Sequence, residues 1–570
     1  MKVSEMKYSR PDTALLLTQL EDIAKDIKTA DSAEKQLALF NKFEQLTGSF
    51  STMAVLSEIR STIDTRDTFY EQEQAYFDEN SPAVADKQLD IFRALLASPY
   101  KAELMQALPS ILFEKMEVDV KSASNEILPL MSQENALCTE YQKLYAGAQI
   151  SFDGGVYTIS QLAPFKQSAD RAVRKAAYEA EGAWFDANRD KLDDIYDKLV
   201  KNRTEQAKKL GYDSYSKLGV IRMRRIGYGI DEINAYHENI KRDIVPIISK
   251  LKAMQYERTG IGADAKFYDD SYRFADGNPV PHGTPDEILA AGKRMYHELS
   301  PETSAFIDEM FAADAFDVLS KPGKAPGGYC TGIHDYKQPF IFSNFNATAD
   351  DVDVLTHEAG HAFAAYVAYK KNLTSSMLEE PGMESCEIHS MSMEFLTADY
   401  HELFFGDDTA KYELYHAEDS IGFLPYGTMV DEFQHKVYDN PNMTPQQRNE
   451  TWAALEKQYR PWLDFDALPF YGRGSGWQRQ LHIYLYPFYY IDYCFAQTVA
   501  LQFFTLWLED KSLAWQRYLT LVGKAGTLTY PQLVASAGFQ SPFENGTMKA
   551  VGEKVGEWCE TENEKLKNEK

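Results

Sequence analysis

Apolar residues recur at three- and four-residue intervals through most of this chain, and that regularity confines its 570 residues to a predominantly helical architecture. Leu15 to Ile27, Ala33 to Leu46 and Ala83 to Leu96 all show it. Asp31-Ser32 and Ser81-Pro82 place cap residues ahead of two of these runs, which predicts helix starts there. Further helices are predicted over 171–210, 230–258 and 285–299. Residues 259–281, rich in Gly, Asp, Pro and Asn, read as loop. Two interruptions read as strand. Residues 148–159 alternate about Asp153-Gly154-Gly155, a hairpin signature. Tyr329-Cys330-Thr331 and Phe340-Ile341-Phe342 follow turns at Lys321-Pro322-Gly323 and Pro326-Gly327-Gly328. A chain this long exceeds what one core supports. The predicted division is a helical lobe over 1–145, a helical region with the hairpin over 146–320, a third region over 321–556, and a charged tail over 557–570 that is expected to fray.

The formal net charge of −27 disfavours nucleic acid and anionic membrane surfaces as partners. Cys138, Cys330, Cys386, Cys494 and Cys559 are odd in number and lack CxxC spacing, so neither a disulfide framework nor a cysteine metal site is expected. The first residues, MKVSEMKYSRPDT, hold no apolar run of the signal-peptide kind. Leu485 to Phe504 is the most apolar late stretch, but Asp492, Gln497 and Gln502 interrupt it, which argues against a membrane span. A cytoplasmic address is the expectation. The oligomeric state is left open.

Residues 357–361 read His-Glu-Ala-Gly-His within a segment of helical periodicity, 351–369. On a helix, His357 and His361 share a face one turn apart. Two imidazoles so placed can hold one zinc ion, and Glu358, turned about a third of a turn away, can take a proton from a water whose pKa zinc lowers to about 7. A catalytic zinc needs a third protein ligand and an open position. Glu380 has one plausible spacing, but Glu379-Glu380-Pro381-Gly382 reads as a turn. Glu384, Glu387 and Glu394 lie on the next predicted helix, 383–400, and spacing leaves Glu384 and Glu387 nearly tied. A metal-binding histidine usually gives its other ring nitrogen to a carboxylate, for which Asp353 and Glu394 are candidates.

The stretch Gly327-Gly328-Tyr329-Cys330-Thr331, then Pro339 to Asn346, then the histidine pentad, resembles the thimet oligopeptidase and oligoendopeptidase F family of zinc metallopeptidases, closer to the oligoendopeptidase F branch. Glu387-Ile388-His389-Ser390-Met391-Ser392-Met393-Glu394 is similar to that family's third-ligand segment, with a serine three and an acid seven residues after the glutamate, and this favours Glu387. His482 to Tyr493, after the loop Gly472-Arg473-Gly474-Ser475-Gly476, resembles the family's histidine and tyrosine cluster. The resemblance spans roughly 180–550. It implies a mostly α, two-lobed body with a deep substrate channel and a few short strands beside the zinc helix, one zinc ion per chain, and hydrolysis of internal bonds in short unfolded peptides. It further implies that His482, Tyr486, Tyr490 and Tyr493 stabilise the tetrahedral intermediate and hold substrate. The choice among these tyrosines is open, because the spacing runs one residue shorter than in the thimet branch. Gly328 and Tyr329 beside the strands, and Gly474 and Gly476 in the loop, are the candidate substrate contacts, the first pair where a peptide can add to a strand edge and the second where a loop can close. Two rivals remain at this stage: a metal-dependent exopeptidase, and a non-enzymatic helical metal-binding protein.

Overall fold

The computed structural model describes residues 1–325, 327–345, 349–371, 375–379, 382–465, 468–524 and 526–568. Helices dominate, and the chain forms two compact units, each drawn from three separate stretches of sequence. The first unit comprises 1–121, 280–409 and 506–539; the second comprises 122–279, 410–505 and 540–570.

In the first unit, helices Thr13–Thr29, Ala33–Ile63 and Thr68–Leu96 bury Leu20, Ile23, Phe40, Phe43, Phe77, Ile91 and Leu95 in one core. The predicted cap at Ser32 is present, its side chain accepting from Lys35 N–H. Ser81-Pro82, predicted as a helix start, instead lies inside the continuous helix Thr68–Leu96. A proline there removes one helical hydrogen bond, but Phe77, Val84 and Ile91 bury one face on both sides of it, and that packing decides the outcome.

A three-stranded sheet follows. Strands β1 (Phe316–Leu319), β2 (Tyr329–Ile333) and β3 (Gln338–Phe345) lie in the order β1-β3-β2, with β1 parallel and β2 antiparallel to β3. Two of these strands were predicted; β1 was not. Its four residues are too few to show a reliable alternation. Helix α1 (Ala349–Lys370) packs on β2 and β3, and helix α2 (Met383–Leu396) lies against α1.

In the second unit, the predicted hairpin pairs Ile150–Phe152 with Gly155–Tyr157. Asp153 (φ 45°) and Gly154 (φ 73°) supply the two left-handed residues that a two-residue turn needs. Helix α3 (Thr409–Asp439) contributes a long row of buried residues to this unit, and helix α4 (Ile491–Glu509) begins in it. The C-terminal tail does not fray as expected: residues 557–568 complete the helix Thr547–Asn568, and Cys559 and Asn563 are fully buried. Arg258 Nη1 donates to Asn563 Oδ1 over 2.8 Å, a partner 305 residues away in sequence. All five cysteines are free thiols, and among the described residues no helix is long and apolar enough to cross a membrane.

Candidate metal centre

Helix α1 presents His357 and His361 on one face because four residues advance it by just over one turn. The residues beside them, Leu355, Ala359, Ala362 and Phe363, are buried, so packing orients the histidines. Their rings stand 5.0 Å apart at 82°. Glu387, on the second turn of α2, points its Oε2 at both: 3.2 Å from His357 Nε2 and 3.5 Å from His361 Nε2. Among the described residues these are the one group of three His, Cys, Asp or Glu donors whose ligand atoms all lie within 4.8 Å of one another.

Two of the three are held from behind, His357 and Glu387. Glu394, two turns beyond Glu387 on α2, lies 2.8 Å from His357 Nδ1 through its Oε1. That leaves Nε2 of the ring facing Glu387. Ser390 Oγ donates to Glu387 Oε2 over 3.1 Å. The serine and the acid expected three and seven residues after the glutamate therefore both make contacts in the cluster. Asp353, the other acid expected behind His357, lies half-buried one turn earlier on α1, and its carbonyl accepts from Thr356 Oγ1. Glu384 is buried at the start of α2, with its carboxylate turned back over Gly382 rather than toward the histidines. Glu380 lies outside the described residues.

The electrostatics favour a cation. Burial opposes charge on His357, but hydrogen bonds to Glu387 and Glu394 outweigh it and raise the imidazole well above its ordinary value. Burial would likewise raise Glu387, but contacts with His357 and His361 hold its carboxyl well below the usual range. Two imidazole nitrogens and one carboxylate make a donor set that a borderline-soft divalent ion takes, with a second carboxylate orienting the first histidine. The residues present fit a zinc-type metal. Glu358 lies beside this set and is not part of it. Burial raises its carboxyl above the ordinary carboxylate value, in spite of the two histidines.

Gly360 was not expected to shape the site. A Cβ on Gly360 would stand 2.7 Å from His389 O and 2.7 Å from Ser390 Cα, so this glycine lets α1 and α2 touch backbone to backbone. The signal was in plain view, since glycine inside a helix is otherwise unfavourable.

Gly328 sits just before β2, where a Cβ would come within 3.3 Å of Phe342 O. Tyr329 stacks on Phe342 at 4.9 Å, and its hydroxyl lies 2.7 Å from Thr62 Oγ1. Its ring is thus committed to packing, while β2 remains an edge strand among the described residues.

The second group of expected residues belongs to the other unit. His482 stands among four tyrosine rings: Tyr490 at 4.6 Å, Tyr489 at 5.7 Å, Tyr486 at 6.2 Å and Tyr493 at 6.3 Å between centroids. Tyr489 was not expected in this group, yet its hydroxyl lies 2.7 Å from that of Tyr493. Burial brings His482 down to about 4, so the ring is neutral near pH 7. Tyr426 donates to Gln480 Oε1, and Gln480 Nε2 donates to His482 Nδ1, each over 2.8 Å. Nδ1 is then the acceptor and Nε2 carries the proton. Phe488, inside this segment, has φ 68°, a rare conformation for a bulky residue. Arg225 Nη2 on its carbonyl and Gln434 Oε1 on its amide hold it there. In the glycine loop, Gly474 (φ 83°) approaches the helix Pro445–Tyr459 so closely that a Cβ would meet Asn449 O, and Gly476 lies beside Trp452.

Comparison with known proteins adds independent findings. A profile described as Peptidase M3 N-terminal domain matches residues 3–123, and one described as Peptidase family M3 matches residues 164–553. An oligoendopeptidase F homolog of Lactococcus lactis subsp. lactis is 22% identical over 555 residues, covering 89% of this chain and 86% of that protein. Oligopeptidase PepF of Bacillus subtilis is 21% identical over 546 residues, covering 88% and 77%. The solved structure of Pz peptidase A with an inhibitor matches with a TM-score of 0.91 at 44% identity, covering 98% of this chain and 99% of that one.

Proposed function

This chain belongs to peptidase family M3, and from that membership we propose that it is a zinc-dependent endopeptidase hydrolysing internal bonds of short, unfolded oligopeptides. The observation that carries the reading is the convergence of His357 Nε2, His361 Nε2 and Glu387 Oε2, with Glu358 beside them. The names of the relatives, oligoendopeptidase F and oligopeptidase, support short peptides as substrates. The five free cysteines agree with a cytoplasmic setting.

His357, His361 and Glu387 would hold the metal. The Lewis acidity that polarises the scissile carbonyl and acidifies a water comes from that ion when bound. The rest falls to the chain. Glu394 on Nδ1 fixes the His357 ring with Nε2 forward, and Ser390 holds the Glu387 carboxylate in place. Glu358 takes the proton from the attacking water and passes it to the leaving amine; a carboxyl raised by burial suits both transfers better than an exposed one. His482, neutral and with its proton on Nε2, is suited to donate to the oxygen that gains charge, with Tyr486, Tyr490 and Tyr493 as further donors or substrate contacts. Backbone pairing along the edge of β2, beside Gly328 and Tyr329, would bind peptides with little regard to side chain.

The test is Glu358→Gln in the full chain. Metal analysis should still find about one zinc per chain, while hydrolysis falls by at least about a hundredfold, as expected on losing a general base. Mass spectrometry of a digested oligopeptide mixture should show internal cuts. Stepwise loss of terminal residues would point to an exopeptidase instead, and full activity in Glu358→Gln would remove the mechanism.

A further inference from the structure

The second unit contains a cavity of about 310 Å³ whose walls include Tyr426, Trp452 and Tyr471 and whose charged groups are Arg460, Glu456 and Arg479. The two arginines are in different states. Arg460 is committed: Nε and Nη2 grip both oxygens of Glu456 at 2.9 and 2.5 Å, and the guanidinium lies 4.6 Å from the Tyr426 ring centre. Arg479 has its Nε 3.2 Å from Glu181 Oε2 and its guanidinium 5.5 Å from the Tyr471 ring centre, yet it donates no hydrogen bond among the described residues. Its Nη edge, four N–H donors in a plane, is unspent.

Neutralising Glu181 does not explain Arg479. That buried carboxylate already has Lys166 Nζ at 2.5 Å and the Tyr471 hydroxyl donating to it. Glu181 therefore carries one negative charge against two cations, and Arg460 cancels Glu456. The cavity holds one surplus positive charge. A guanidinium whose open edge faces a cavity is the fork that receives a carboxylate through two parallel hydrogen bonds. Three aromatic side chains around it offer apolar cover for the residue carrying that carboxylate. Gln480 also lines the cavity, and its amide bridges Tyr426 and His482, so the cavity lies one side chain from His482.

We propose that this cavity is a carboxylate-binding subsite, in which the Nη edge of Arg479 takes a peptide carboxylate while its residue lies against Tyr426, Trp452 and Tyr471. That the carboxylate belongs to a peptide rests on the function proposed above; that a carboxylate binds rests on the cavity alone. The carboxylate is either the C-terminus or an acidic side chain.

The experiment measures binding by titration calorimetry to the full chain carrying Glu358→Gln, so turnover is not needed. Three peptides serve as probes: a free acid, its C-terminal amide, and that amide with its last residue replaced by Glu. The free acid is expected to bind at least about tenfold more tightly than the amide, the scale of a hydrogen bond to a charged group. The third peptide assigns the source: if it binds like the acid, any carboxylate serves; if it binds like the amide, the terminus is read. Adding Arg479→Gln should bring the acid-to-amide ratio within about twofold of unity, and Arg479→Lys should keep part of it. Equal binding of all three peptides without any change at Arg479 would overturn the subsite, with no folding question attached. A ratio that survives Arg479→Gln would overturn it too. The two readings fail separately. Internal cleavage by the unmodified chain without carboxylate discrimination removes the subsite alone, whereas discrimination without cleavage removes the peptidase reading alone.

Discussion

Gly360→Ala offers the sharpest test of how this metal centre is built. On intrinsic grounds the substitution should help, because alanine in a helix interior is favoured over glycine by about 1 kcal/mol. The surroundings reverse the sign. The new Cβ would sit 2.7 Å from His389 O and from Ser390 Cα, both backbone atoms of α2 that no rotamer change can remove. Ordinary contact needs about 3.5 Å, so the two helices must part by about 0.8 Å. Overpacking of this kind costs about 1–3 kcal/mol, which exceeds the propensity gain. The same shift separates His357 and His361 from Glu387, and metal-ligand distances tolerate only about 0.2 Å. Metal affinity should fall by at least about tenfold, and turnover by about a hundredfold, the scale of a 1 Å misplacement. Competition against a chromogenic chelator reads the affinity, and urea unfolding reads the stability. Gly422→Ala is the control. Gly422 lies in α3, and a Cβ there meets nothing within 4 Å, so it should stabilise by about 0.5–1 kcal/mol. If Gly360→Ala held its metal within twofold of the unmodified chain, or gained stability as Gly422→Ala does, the backbone contact would not set the ligand geometry.

Other outcomes follow from the same contacts. Glu394→Ala removes the partner of His357 Nδ1 and should weaken metal binding about 10–100-fold in chelator competition, with little change in the circular dichroism spectrum. Arg225→Met removes a buried ion pair to Asp492 and the hydrogen bond to Phe488 O, so urea unfolding should show a loss of about 3–5 kcal/mol. Asp431 is buried between His237 (2.9 Å) and His435 (3.3 Å); burial would raise its carboxyl, but the two histidines hold it well below the ordinary value. A carboxyl depressed in the folded state stabilises above its unfolded value of about 3.9 and loses that contribution as pH falls toward the folded value. Asp431→Asn should therefore cost about 1–3 kcal/mol near pH 7, with the difference shrinking below about pH 4, read from unfolding curves at several pH values.

Much of the local structure was legible in the sequence, and the reason is range. The histidine spacing, the Ser32 cap and the left-handed pair in the Asp153-Gly154 turn depend on dihedral angles a few residues apart. Side-chain chemistry within one helical turn is likewise readable, so His357, Glu358 and His361 stood out together. What failed depended on distant partners. Pro82 is carried inside a helix by the core that flanks it, and the charged last turns stay folded through Asn563, whose partner Arg258 lies far back in the chain.

The sequence alone determined that the chain is largely helical, that two imidazoles share one face of α1, and that a carboxylate stands beside them. It did not determine which of Glu384 and Glu387 joins them, or which of Asp353 and Glu394 stands behind His357; spacing left both choices open, and resemblance was needed for the first. The tertiary structure places Glu387 and Glu394 there because both choices turn on how α1 and α2 meet. That meeting is set by a backbone contact at Gly360 between segments about thirty residues apart. A periodic pattern specifies which face a helix buries, but the face that opposes it, and the distance between them, belong to the packed molecule.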